Sequence, residues 1–153
     1  MMTDRPLAKA IVDMMQPVLR RPALLQVAAL CTRQGRDGTE VLLITSRGTG
    51  RWILPKGWPI AHHSLAEAAA QEAWEEAGVR GRVEAEAFGS FDACKVGDGG
   101  LEMPCRICVY RIHVDGMADR FPEAGQRDRR WVGSEVAAGM VREPGLQALL
   151  AAL

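Results

Sequence analysis

Short apolar runs alternate with polar turns along most of the chain, which is typical of a strand-rich domain. Residues 24–32 and 41–45 are two such runs, and the turn between them contains Asp37-Gly38, so they predict a β-hairpin. Residues 56–63 contain Gly57 and Pro59 and lack periodicity, so we expect no regular structure there. Further strands are predicted at residues 52–54, 83–91, 105–114 and 129–132.

One predicted helix, residues 65–77, has well-marked ends. Ser64 and Glu67 form a capping box before its first turn, and Gly78 follows its last turn. Strands, a central helix, further strands and terminal helices together predict an α/β domain with a mixed sheet. We divide the chain into an N-terminal helical extension, residues 1–22, and one domain, residues 23–153. The other predicted helices cover residues 6–20, 135–140 and 145–153.

The composition excludes several classes of protein. Nineteen Lys and Arg balance nineteen Asp and Glu in 153 residues, so net charge predicts neither a nucleic-acid-binding nor a membrane-surface protein. No apolar run approaches the roughly 20 residues that cross a bilayer. The N-terminus also lacks the apolar core of a signal peptide. We therefore expect a cytoplasmic protein with reduced cysteines and no membrane partner, and the sequence leaves the oligomeric state open.

A possible zinc site is suggested by Cys105 and Cys108, in C-x-x-C spacing, with His113 nearby. These residues fall in a predicted strand, where positions three apart point to opposite faces. Zinc knuckles need a turn between their cysteines. We therefore expect buried structural cysteines here.

The central helix carries an acidic cluster. At about 100° per residue, its alanines form one stripe, which we expect to be buried, and Glu72, Glu75 and Glu76 lie on the roughly opposite side. No Lys or Arg inside the helix balances them. They also lie near the C-terminal end of the helix, where the helix dipole favours cations over carboxylates. The alternative is an ordinary solvated face, but the unpartnered cluster favours a cation site. Oxygen ligands favour Mg²⁺ or Mn²⁺ over zinc. The alanine stripe comprises Ala66, Ala70, Ala73 and Ala77.

Residues 57–79 resemble the Nudix box, whose pattern is G-x5-E-x7-R-E-U-x-E-E-x-G-U with U aliphatic. Two positions depart from the pattern, because His63 stands where the family has Glu and Gln71 stands where it has Arg. We expect a His63–Gln71 hydrogen bond to replace the family's ionic brace, with weaker metal binding or a shifted pH optimum and with activity retained. The positions that match are Gly57, Glu72, Glu75, Glu76, Gly78 and Val79.

The resemblance implies a Nudix-type α/β/α sandwich with a mixed central sheet and a loop-helix-loop catalytic motif. It also implies a pyrophosphohydrolase that uses Mg²⁺ or Mn²⁺. In that case Glu72 and Glu76 would coordinate the metal directly, and the backbone near Gly57 would complete the shell. Glu75 would bind a further ion or help to activate the attacking water.

Outside the box, the chain is similar to the diphosphoinositol polyphosphate and diadenosine polyphosphate hydrolase subgroup. Residues 51–57 and 121–131 carry this similarity. It implies a small-molecule polyphosphate substrate bound by a basic rim. Ordinary surface charge is the alternative for each basic residue, and Trp58 is a candidate for stacking on a base. The expected substrate-binding residues are Ser46, Arg47, Arg51, Lys56 and Arg127.

Two other functions remain open at this point. One is a catalytically weak or inactive Nudix-fold module that binds a phosphorylated ligand or a protein partner. The changed His63 and Gln71 favour it, whereas the three retained helix carboxylates oppose it. The other is an RNA-end hydrolase, for which the sequence offers no additional RNA-binding element.

Overall fold

The computed structural model describes residues 23–153, so the predicted N-terminal helical extension at residues 1–22 lies outside it. The described chain forms a mixed sheet flanked by helices on both faces. The strands are β1 (Leu24–Gly35), β2 (Gly38–Thr45), β3 (Trp52–Ile53), β4 (Lys56–Gly57), β5 (Val79–Val83), β6 (Gly89–Val96), β7 (Glu102–Met117) and β8 (Arg129–Gly133). The helices are α1 (Leu65–Ala77), α2 (Ser134–Met140) and α3 (Pro144–Ala151).

Strands β1 and β7 form the centre of the sheet. They pair in parallel from Leu24 opposite Cys105 to Thr32 opposite His113. The path through the sheet is β3-β2-β1-β7-β5, and β4, β6 and β8 pair with β1, β7 and β2 respectively. All of these other pairings are antiparallel. The predicted mixed sheet and the hairpin of β1 and β2 are confirmed.

Two apolar cores lie on opposite faces of the sheet, as an α/β/α sandwich requires. Val27, Ala29 and Cys31 of β1 pack with the alanines of α1, whereas Ala28 and Leu30 pack with α2 and α3. Burial on both faces explains why β1 reads as a continuous apolar run rather than an alternating one. Alanine on α1 lets the helix approach the sheet closely, which brings its glutamates near the strand ends.

Both ends of α1 are capped as predicted. The Ser64 hydroxyl accepts a hydrogen bond from the Glu67 backbone N–H at 3.0 Å. Gly78 has a φ of 67°, and its N–H reaches the carbonyls of Ala73 and Trp74. A side chain at Gly78 would also collide with Phe121. Local sequence signals therefore fix the length of the helix that carries the acidic cluster.

Two predictions of local structure are wrong. Residues 56 and 57 are not irregular, because Lys56–Gly57 pairs with β1, a strand distant in sequence. Residues 83–91 are not one strand, because β5 ends at Val83 and β6 begins at Gly89. The residues on either side of this break still bond to β7, because Glu84 N–H donates to Arg111 O and Phe88 N–H donates to Val109 O. The residues between Glu84 and Phe88 leave the sheet.

The C-x-x-C cysteines lie in β7, as the strand prediction requires. Cys105 belongs to the core under α2 and α3, whereas Cys108 packs against the core under α1. Cys105 is buried and Cys108 is partly buried. Their side chains therefore point to opposite faces. No helix among residues 23–153 is long and apolar enough to cross a membrane.

Candidate metal and pyrophosphate site

The site begins where β4 leads into the loop before α1. Gly57 pairs with Val27 of β1, which places its Cα against the side chain of Glu72. A Cβ at residue 57 would overlap the Glu72 carboxylate. Glycine is therefore required at residue 57, because the Glu72 carboxylate occupies the space where a side chain would lie.

Glu76 is the most buried of the helix glutamates and is held at both oxygens. Only 7% of the residue is exposed. Its Oε2 accepts from the Lys56 backbone N–H at 3.1 Å, and its Oε1 accepts from Arg127 Nη2 at 3.2 Å. Burial raises the pKa of Glu76, and Arg127 and the Lys56 N–H oppose that rise. The burial of Glu76, which the helical wheel alone does not predict, is therefore stabilised by partners distant in sequence.

Arg127 is the cation that pairs with Glu76. Its guanidinium donates to Glu76, to Glu123 at 3.3 Å and to the Thr45 carbonyl at 3.1 Å. Only 7% of its side chain is exposed, so it lies beneath the cavity and does not belong to a surface rim. Its buried Nε has no hydrogen-bond partner among the described residues. Arg127 therefore positions Glu76 and leaves one donor unsatisfied beside the cavity.

Glu72 has the most strongly perturbed carboxyl group of the cluster. Burial raises its pKa to about 7, with further contributions from Glu76, Glu75 and Glu123, and Arg127 opposes the rise. Within residues 23–153, no hydrogen bond or ion pair engages the Glu72 carboxylate. A partly buried carboxylate surrounded by others is the arrangement that a cation would stabilise.

Glu75 and Glu123 complete the acidic cluster. Glu75 Oε1 accepts from Gln71 Nε2 at 2.9 Å. The Glu75 carbonyl accepts from the Glu123 N–H at 3.0 Å, which fastens the segment before β8 to α1. Glu123 lies in residues 121–131, which carry part of the sequence similarity, but it is not among the predicted site residues. Its only signal was its place beside Arg127 in residues 121–131.

An open cavity of about 520 Å³ lies over these groups. Of the residues predicted to bind substrate, Ser46, Arg47, Lys56 and Arg127 line it, and Arg51 lines an adjoining cavity. The Ser46 hydroxyl contacts Thr49 Oγ1 at 2.6 Å and accepts from the Arg51 N–H, so it stabilises the turn over residues 46–51. The cavity is also lined by Gly57, Trp58, Glu72, Glu76, Lys95 and Glu123.

The predicted His63–Gln71 hydrogen bond is wrong. His63 Nδ1 lies 3.0 Å from the Ala61 carbonyl oxygen, whereas Gln71 reaches along α1 to Glu75. The two positions that depart from the Nudix pattern are thus satisfied separately. Gln71 supplies a neutral donor to the carboxylate that an arginine there would pair with as a cation.

The carboxylates of this site have the chemistry to bind a divalent cation. Glu72, Glu76 and Glu123 face one cavity with oxygen ligands, the set that Mg²⁺ and Mn²⁺ prefer. Gly57 leaves room for the Glu72 carboxylate, whose pKa is raised chiefly by burial and next by Glu76. Within the described range, no three His, Cys, Asp or Glu side chains yet converge on one point. The chemistry of the oxygen donors fits the ion.

Comparison with known proteins identifies the family. A family model described as the NUDIX domain matches residues 24–147. The chain belongs to the Nudix family. The Nudix box therefore corresponds to β4, the loop after it and α1. Glu72, whose pKa is raised, and the buried Glu76–Arg127 pair lie inside the Nudix domain.

Two relatives illustrate the similarity in sequence. Nudix hydrolase 16, mitochondrial, of Arabidopsis thaliana is 31% identical over 111 residues, covering 71% of this chain and 61% of the relative. Diphosphoinositol polyphosphate phosphohydrolase 3-beta of Bos taurus is 36% identical over 114 residues, covering 73% of this chain and 65% of the relative. This Nudix chain thus matches less than two thirds of the length of either relative.

Solved structures share the fold at low sequence identity. An Ap4A hydrolase from C. elegans, in a binary complex, has a TM-score of 0.62 at 16% identity, covering 84% of this chain and 93% of that one. The NUDIX domain of Shewanella oneidensis NrtR, complexed with ADP ribose, also has a TM-score of 0.62, at 19% identity, covering 98% and 96%. These similarities confirm the predicted Nudix sandwich.

Proposed function

We propose that this chain is a metal-dependent pyrophosphohydrolase acting on a nucleoside polyphosphate, of diadenosine polyphosphate type, or on a diphosphoinositol polyphosphate. One observation carries the proposal: Glu72, Glu76 and Glu123 share a single cavity with Arg47 and Lys56. Carboxylates that suit a hard cation lie beside cations that suit phosphate. A polyphosphate with its metal ions satisfies both sets together.

The acidic residues would hold the metal. We assign Glu72, Glu75 and Glu76, with the backbone near Gly57, to Mg²⁺ or Mn²⁺. Bound there, the ion would neutralise phosphate oxygens and lower the pKa of a water molecule toward neutrality. Glu75 is held by one hydrogen bond, from a neutral amide, so it can turn toward the ion or toward the attacking water more readily than Glu76, which is held at both oxygens.

The basic residues would orient the polyphosphate. Lys56 lies in the cavity wall, and its pKa is lowered chiefly by burial and next by Arg51. A phosphate beside Lys56 would stabilise its charged form. Arg47 is exposed and reaches Glu123 at 3.7 Å, so it can move to a phosphate at little cost. Arg127 acts differently, since its buried contacts fix the orientation of Glu76.

The names of the relatives support both substrate classes, since one is a diphosphoinositol polyphosphate phosphohydrolase and another is an Ap4A hydrolase. Because this chain spans only part of its sequence relatives, their activities enter here as support for a proposal. The expected cytoplasmic location also remains a prediction, since an Arabidopsis relative is mitochondrial by name.

A substrate panel tests the proposal. The purified protein would be incubated with diadenosine tetraphosphate or a diphosphoinositol polyphosphate, in Mg²⁺, in Mn²⁺ and in EDTA. We expect cleavage that requires the metal, with products from attack at a phosphoric anhydride. Cleavage undiminished in EDTA would contradict the role of the metal. Ligand binding without turnover under every condition would favour the non-catalytic binding module instead.

A further inference from the structure

A second cavity adjoins the carboxylate cavity, and its chemistry is different. It has a volume of about 320 Å³ and shares Gln26, Ile53, Lys56 and Lys95 with its neighbour. A pocket of this size holds a ligand fragment as large as a nucleoside. A substrate whose phosphates lie at the carboxylates would therefore extend its remaining part past these shared residues into the second cavity.

The walls of the second cavity include a group of apolar side chains from the core. Phe91, Ile107 and Leu146 line it, and each belongs to the core under α2 and α3. Such walls favour a flat ring with apolar faces. A polyphosphorylated inositol presents charge around its whole ring, so its burial against these residues would leave phosphates desolvated.

Gln26 provides a polar group inside this apolar setting. It lies on β1 opposite Ile107, and only 5% of the residue is exposed. Its carboxamide takes part in none of the side-chain hydrogen bonds formed within residues 23–153, and its polar atoms remain accessible from the cavity. A nearly buried amide that no described side chain engages, and whose polar atoms are accessible from the cavity, is available to hydrogen-bond a ligand. A carboxamide offers a donor beside an acceptor, which matches the amino group and adjacent ring nitrogen of adenine.

Basic side chains also line the second cavity. Arg51 is paired with Glu143 at 2.7 Å, which neutralises it. Lys56, Lys95 and Arg142 remain, and Lys95 also lies 4.1 Å from the centre of the Trp58 ring. Lys56 and Lys95 stand between the two cavities, where a phosphate would join a nucleoside to the scissile anhydride.

We infer that the second cavity binds the nucleoside of the substrate, with Gln26 reading an adenine edge. This inference rests on the proposed hydrolase function and selects between its two substrate classes. The chain is then an adenosine polyphosphate hydrolase rather than a diphosphoinositol polyphosphate hydrolase. Gln26 is its specificity-determining residue.

Two variants separate recognition of the base from the chemistry at the carboxylates. Gln26→Met keeps the size of the side chain and removes the amide. Ala93→Trp fills the second cavity from β6, where Ala93 is partly buried beside the core. Ala85→Trp adds the same ring at an exposed position and is the matched control. Thermal melting would show that each variant is folded.

The first readout is binding of adenosine 5′-monophosphate in EDTA by calorimetry, and the second is kcat and KM for diadenosine tetraphosphate and for a diphosphoinositol polyphosphate. We expect Gln26→Met to weaken nucleotide binding and to raise KM for the diadenosine substrate about tenfold, as loss of a buried hydrogen-bond pair implies, with kcat nearly unchanged. Ala93→Trp should abolish nucleotide binding and raise KM for the diadenosine substrate at least as much as Gln26→Met does. Ala85→Trp should match the wild type.

The outcomes distinguish the inference from the function beneath it. Wild-type cleavage of the inositol substrate, with no nucleotide binding and no effect of Gln26→Met, would overturn the inference and leave the hydrolase proposal standing. If the wild type cleaves neither substrate, the hydrolase proposal fails and the calorimetry alone decides the nucleoside cavity. Binding that Gln26→Met weakens would then support the cavity, and no binding would overturn it.

Discussion

Replacing Glu72 by Gln should stabilise the metal-free protein while removing its response to metal. The Glu72 carboxylate lies against Gly57 and is surrounded by carboxylates, and its pKa is raised to about 7. Gln has nearly the same shape and no charge. The substitution therefore removes repulsion and desolvation, and within residues 23–153 it breaks no hydrogen bond or ion pair of the side chain.

The sign and size of the change in unfolding free energy follow from the raised pKa of Glu72. A carboxyl group whose folded-state pKa is raised costs stability above that pKa, and the cost disappears as the pH falls toward the unfolded value of 4.5. A rise to about 7 corresponds to roughly 3 kcal/mol at alkaline pH. Because the cavity is open to solvent, we discount this to about 1–2 kcal/mol. For a chain of this length, that is about 3–6 °C in Tm.

Urea and thermal unfolding of the wild type and Glu72→Gln should be compared in EDTA at pH 8 and at pH 5. The variant should be more stable at pH 8, and most of its advantage should be lost at pH 5. Added Mg²⁺ should stabilise the wild type and have little effect on the variant. Glu135→Gln, at an exposed position on α2, is the control and should follow the wild type. Equal stability in EDTA at pH 8, or an advantage that persists at pH 5, would refute the reasoning.

Three further substitutions test other contacts. Arg127→Met leaves Glu76 buried without its guanidinium, and urea denaturation should show a loss of about 3–5 kcal/mol. Gly57→Ala places a Cβ where a carboxylate lies, so calorimetry should show Mg²⁺ affinity falling by at least about tenfold, with the fold retained in circular dichroism. The double variant His63→Glu, Gln71→Arg restores an ionic brace and a cation on α1, so calorimetry should show higher Mg²⁺ affinity.

The two single substitutions have matched controls, and the double variant is compared with the wild type. Arg130→Met, at an exposed position, should cost less than about 0.5 kcal/mol, and an equal cost for both arginines would contradict the buried pair. Gly139→Ala has open space around its added Cβ and should leave Mg²⁺ affinity unchanged. For the double variant, Mg²⁺ affinity equal to that of the wild type would show that the two altered box positions do not limit metal binding.

The parts of the structure that depend on local signals could be predicted from the sequence. Helix α1 begins and ends at the predicted residues because Ser64 and Gly78 determine its ends within a few residues. The strand of Cys105 and Cys108, with the two thiols on opposite faces, follows from the period of a strand. These features required no knowledge of distant contacts.

The parts that depend on distant contacts could not be predicted. The burial of Glu76 does not follow from the helical wheel, which contains neither Arg127 nor the Lys56 N–H that together stabilise it. The pairing of Lys56–Gly57 depends on β1, which is remote in sequence. Gln26 could not be recognised from β1 alone, since only the arrangement of β4, β6 and α3 gives it a cavity to face.

The most direct test of the central claim is kcat/KM for the preferred polyphosphate with Mg²⁺, measured for the wild type, Glu76→Gln and Glu135→Gln. We predict that Glu76→Gln falls by at least about a hundredfold, because metal binding is weakened. Glu135→Gln should equal the wild type. Thermal melting would confirm that Glu76→Gln is folded, and Glu72→Gln would serve as a second test of the same cluster. Wild-type turnover in both Glu76→Gln and Glu72→Gln would contradict a metal-dependent hydrolase centred on this cluster.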